Sequence, residues 1–105
     1  MEYVVILITV SSEEEGVRIG KVLVEEGLVA CVNIIPNVRS IFKWEGKISD
    51  EREHLLICKG KKDKFSKVIE RVKELHSYII PEIISLPIID GFSDYLNWID
   101  EVTLK

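Results

Sequence analysis

An α+β domain follows from three observations on this sequence. Strand-like and helical segments alternate in the order β-α-β-β-α-β, a long hairpin occupies the middle, and a short amphipathic segment ends the chain. Each half joins strand to strand through a helix, which is the split βαβ, ferredoxin-like arrangement. At 105 residues the chain suffices for one domain, expected over residues 1–105. With 47% apolar and 30% charged residues its composition is globular, without a low-complexity stretch.

The first strand is Tyr3–Val10, apolar at nearly every position, the pattern of a central strand buried on both faces. Ser12 with Glu15 forms a capping box that starts a helix running to about Glu26. Gly16, Ile19, Gly20 and Leu23 make its buried stripe, and Gly27 its C-terminal cap.

Gly27 to Lys47 reads as one long β-arm, broken at Pro36-Asn37 and reversed at Glu45-Gly46, with a return strand over Lys47–Lys59. Straight, Leu28 to Trp44 would span roughly 55 Å. A domain of this size has a radius of gyration of about 13 Å. The arm therefore bends at Pro36 or leaves the domain, and a protruding ribbon needs a partner: an oligomer is expected.

Phe65, Val68, Ile69, Val72, Leu75 and His76 repeat with helical period opposite a charged face. Ile79–Ile89 reads as the fourth strand, with Pro81 and Pro87 placing it at an edge. Ser93 then caps a short helix with Tyr95, Trp98, Ile99 and Val102 on one face. If both longer helices cover one side of the sheet, the apolar first and fourth strands expose the other side, again calling for a partner.

A net charge of −4 argues against a nucleic-acid surface. The apolar N-terminal run lacks a cationic flank, a cleavage site and the length of a membrane span, so no membrane association and a cytoplasmic location are expected. Cys31 and Cys58 sit in strand patterns without metal-ligand spacing and read as reduced thiols. No phosphate loop, serine elbow or HExxH is present, and no enzymatic activity or required cofactor is predicted.

The chain is similar to the CutA divalent-cation tolerance family. The resemblance rests on Leu28-Val29-Ala30-Cys31-Val32-Asn33 with Ile35-Pro36, Trp44-Glu45-Gly46-Lys47-Ile48, His76 and Tyr78 with Pro81-Glu82-Ile83, and Tyr95-Leu96 with Trp98-Ile99. It implies a homotrimer whose long hairpins pair with neighbouring sheets, a cytoplasmic location, and tolerance of copper and other divalent ions through metal binding or a regulatory interaction. The family's His-Pro-Tyr is here His76-Ser77-Tyr78. Some bacterial relatives carry copper-ligand candidates where this chain has Ile8 and Leu75, which leaves His76 alone of that set.

Two groups of candidate residues result. His76 and Cys31 have the chemistry of copper or zinc ligands. Their plainer roles are a histidine satisfying the last carbonyls of its helix and a small buried hydrophobe. Trp44, Tyr78, Glu82 and Lys47 would form an inter-subunit pocket, with Glu82 as acid, base or ligand, or simply an interface ion pair with Lys47. A trimeric sensor of the PII type, binding a small anion or nucleotide in clefts between subunits, is the alternative reading.

Overall fold

The computed structural model describes residues 2–105. Four strands, β1 (Tyr3–Val10), β2 (Cys31–Trp44), β3 (Lys47–Lys61) and β4 (Ile83–Pro87), form one sheet in the order β2-β3-β1-β4, every neighbouring pair antiparallel. The helices are α1 (Glu13–Glu25), α2 (Phe65–Leu75) and α3 (Ser93–Val102), with a 3-10 turn at Lys62–Lys64 leading into α2.

One face of the sheet carries the core. Val4, Ile6, Ile8 and Val10 of β1, with Leu56 and Cys58 of β3, pack beneath Ile19 and Leu23 of α1 and Val68 and Val72 of α2. Two glycines let α1 approach the sheet closely: a Cβ on Gly20 would stand 3.3 Å from Val32 Cγ1, and one on Gly16 would stand 3.1 Å from Leu56 Cδ2, both tight contacts. The chain leaves α1 through Gly27, whose φ of +71° is the left-handed conformation of a helix stop.

The opposite face is open. Alternation along β1 leaves Tyr3, Val5, Leu7 and Thr9 half-buried, so β1 is central but fully enclosed on one side only, against the expectation of burial on both. The neighbouring open-face positions Ile84 and Leu86 of β4 and Ile35 of β2 are 44–50% exposed. Among the described residues only one corner is covered, by α3. There the nearly buried Lys61 ammonium donates to Asp100 Oδ1 (3.2 Å) and to the Leu104 carbonyl (2.6 Å), while Ile99 is fully buried.

The arm exists, with β3 running two residues past the expected end to Lys61. Its break is a bulge. Ile35 faces Leu55 and Val38 faces Glu53, so Pro36 and Asn37 together oppose His54, and Asn37 takes a φ of 60°. The extra residue shifts the alternation, putting Val38, Phe42 and Trp44 on the open face beside Glu53, Ser49 and Lys47. At the tip Glu45 (φ 50°) and Gly46 (φ 79°) make the tight reversal, and the molecule reaches 44 Å in its longest dimension.

Two further expectations are corrected by the structure. The fourth strand is Ile83–Pro87 and not Ile79–Ile89: Pro81 has no N–H to donate, and Ile79 and Ile80 stand exposed in a bend before it. Ser93 does not cap α3. It is the first helical residue, Phe92 holds the cap position, and among the described residues no side-chain bond caps the helix start.

Candidate functional site

The densest polar arrangement lies where the end of β1, the start of α1 and the end of α2 meet. Ser12 caps α1 by accepting from the Glu15 N–H at 3.1 Å. Glu15 reaches back past Ser12: its Oε1 accepts from the Ser11 N–H (3.3 Å) and hydroxyl (3.2 Å), and its Oε2 from the Ser77 N–H (2.7 Å). The carboxylate thus pins α1 to the segment after α2. Burial would raise its carboxyl, but the Ser77 and Ser11 bonds and nearby His76 together hold it below its usual value.

His76 ends α2 with its side chain wholly buried. Both ring nitrogens are engaged. Nδ1 accepts from the Tyr78 N–H at 3.0 Å, so Nε2 carries the proton and donates to the Thr9 carbonyl at 2.7 Å. The imidazole therefore serves β1 and the following loop, and not the last carbonyls of its own helix as expected. A metal at either nitrogen would displace one of these bonds. Among the described residues no group of three or more His, Cys, Asp or Glu is placed to hold a metal ion.

Tyr78 stacks beside His76 with ring centroids 4.8 Å apart and donates its hydroxyl to Glu53 Oε2 at 2.6 Å. Burial and then the bond to Glu53 drive the phenol far above its ordinary range. The carboxylate buried here is Glu53, 5% exposed, whereas Glu82 is exposed. Partial burial and the charge of Glu53 push the Glu82 carboxyl upward. Glu53 escapes a reading of the sequence because it lies in the charged run Asp50–His54. Its signal is the period-two phase it shares with Leu55 and Ile57, which marks the open face.

Trp44 and Lys47 face each other across the arm tip. They share the open face with Glu53 but lie six residues beyond Val38, its cross-strand partner, roughly 20 Å along the strand. One chain therefore brings Tyr78, Glu53 and Glu82 together and leaves Trp44 and Lys47 apart from them.

Cys31 lies on the open face under α3, its Sγ 3.5 Å from the Tyr95 hydroxyl, and Tyr95 packs on Trp98 at 5.5 Å between centroids. That contact, followed by burial, raises the Tyr95 phenol to about 12. Cys58 pairs with Val32 and points into the core, where burial pushes its thiol to about 12. The two cysteines are adjacent diagonally but project from opposite faces, and both are free.

Comparison with known proteins agrees with this architecture. The model of the CutA1 divalent ion tolerance protein family matches residues 4–102. The divalent-cation tolerance protein CutA of Thermus thermophilus is 50% identical over 99 residues, covering 94% of this chain and 96% of that protein. The chloroplastic protein CutA of Arabidopsis thaliana is 39% identical over 95% of this chain, which spans only 55% of the plant protein. The solved structure of the divalent cation tolerance protein (Cut A1) from Thermus thermophilus superposes with a TM-score of 0.94, covering 96% of this chain and 98% of that one. This four-stranded α+β chain belongs to the CutA1 divalent ion tolerance protein family.

Proposed function

We propose that the protein works as a cytoplasmic homotrimer of ferredoxin-like subunits in tolerance of copper and other divalent metal ions, through weak metal binding or a regulatory interaction. The observation that carries the assembly is the open apolar face. It runs from Ile84 and Leu86 through Leu7 and Ile35 and out along the arm to Phe42 and Trp44, the last two 39% and 43% exposed. An apolar surface this continuous on a single subunit is a surface for association. The strand order β2-β3-β1-β4 with α1 and α2 on one side supports the ferredoxin-like description.

The metal role draws on the family's name and on the relatives called divalent-cation tolerance proteins. With His76 bonded at both nitrogens, the reading places any metal where subunits meet and equivalent side chains converge. Two measurements test it. Equilibrium sedimentation should give three times the 12.1 kDa chain mass; a monomer at micromolar concentration refutes the assembly. Calorimetry with copper, zinc and a nucleotide panel should show metal binding. Nucleotide binding without metal binding would instead favour the PII-like sensor.

A further inference from the structure

We propose that Lys47 at the arm tip of one copy is the counter-ion of the Tyr78–Glu53–Glu82 cluster of the next, so that this site is complete only in the assembly. The inference rests on the oligomer proposed above and adds the residues that set its register.

The charges on the open face motivate it. Its strand positions hold three lysines, Lys47, Lys59 and Lys61. Lys61 is held by Asp100 and the Leu104 carbonyl, and Lys59 by the Asn33 side-chain oxygen. Lys47 has no carboxylate within ion-pair distance among the described residues. The arm's other cations point away from this face: Arg39 is locked on Asp50 at 2.6 and 2.9 Å, Arg52 pairs with Arg39 on the reverse side, and Lys43 pairs with Ile48 there.

The receiving end has the opposite imbalance. Among the described residues the buried Glu53 receives only the Tyr78 hydroxyl, on its Oε2; Glu51 stands two residues along the same face, and Glu82 adjoins Ile83 at the end of β4 that pairs with Ile8, with the charge of Glu53 pushing its carboxyl upward. No cation of the same chain pairs with Glu53 or Glu82 among the described residues. A buried carboxylate beside a second one is unfavourable unless a positive group neutralises it.

Geometry then selects the donor. Lys47 stands roughly 20 Å along the arm from its own Glu53, and a paired ribbon cannot fold back on itself to close that gap. A second copy's arm can. An arm entering the next subunit in the same sense at each contact is a heterologous interface, which closes when the rotation returns to the first subunit. Apolar contact of Trp44 beside Lys47 would cover the ammonium and strengthen the pair.

The test is a charge exchange in the full chain. Lys47→Glu, Glu82→Lys and the double variant are compared for the urea midpoint of subunit dissociation, read by sedimentation; urea adds no ionic strength. Each single reversal should weaken association by about tenfold or more, and the double should recover most of the loss. Lys47→Arg should retain the wild-type midpoint. Unchanged association in Lys47→Glu, or a double variant no better than the combined singles, overturns the pairing while leaving the oligomer intact. A monomeric wild-type protein overturns both.

Discussion

His76 Nε2 lies 2.7 Å from the carbonyl oxygen of Thr9, tying the residue that ends α2 to the end of β1. With Nδ1 accepting from the Tyr78 N–H, the same ring orients the backbone that carries the Tyr78 hydroxyl toward Glu53. The histidine is a structural fastener between the two halves of the fold.

His76→Ala should therefore destabilise the protein by about 2 kcal/mol, because it leaves buried backbone groups without a partner. Urea denaturation at one fixed protein concentration measures this. If the ring is a fastener, exchange at the Tyr78 amide also accelerates in the variant; an unchanged midpoint and unchanged exchange would contradict the role.

Glu15 makes stability pH-dependent in a defined direction. Its folded pKa is depressed despite burial, by the bonds from Ser77 and Ser11 and by His76, so its contribution is present above the ordinary carboxylate range and is lost as pH falls through the folded value. The stability difference between wild type and Glu15→Gln should be widest at neutral pH and shrink in acid. A difference constant from neutrality to pH of about 3 would show that the carboxylate charge contributes nothing.

Two glycines with positive φ should respond unequally to alanine. Gly46, at φ +79° with nothing near its missing Cβ, should lose about 1 kcal/mol from backbone strain alone. Gly27, at φ +71°, would also drive its Cβ to 3.2 Å from Leu104 Cγ, so Gly27→Ala should cost more and loosen the C-terminal segment. Thermal midpoints of the two variants settle the order; equal losses would mean that Leu104 moves aside freely.

Much of the fold was legible because local chemistry and tertiary structure agree. The Ser12 cap, the glycine stripe of α1, the reversal at Glu45-Gly46 and the period of α2 all stand as read, since each depends on a backbone preference or an amphipathic face that neighbours in sequence express. The fourth strand is shorter than its pattern because Ile79 and Ile80 look like strand residues, while pairing to β1 begins at Ile83. Ser93 has the composition of a cap but sits one residue inside the helix, where pattern alone does not distinguish the cap from the first helical position.

The candidate site was legible only in part. His76 and Tyr78 were recognised, but the bonds that define them come from Thr9, 67 positions away, and from Glu53, 25 positions away. No periodicity reports such contacts. The sequence points to Glu82 as the carboxylate in need of a partner, whereas the register buries Glu53.

By itself the sequence determined the element order, the capped start and glycine stop of α1 and the existence of an over-long arm, because these follow from side-chain spacing and from where glycine and proline stand. Only the tertiary structure decided which face each residue occupies. The two-against-one bulge at Pro36-Asn37 reverses the alternation of β2, which sets Phe42 and Trp44 on the face that Lys47 already shares with Glu53 along β3. A one-residue shift of phase, invisible to composition and pattern, is what brings the aromatic side chains of β2 onto the face that carries Lys47 at the arm tip.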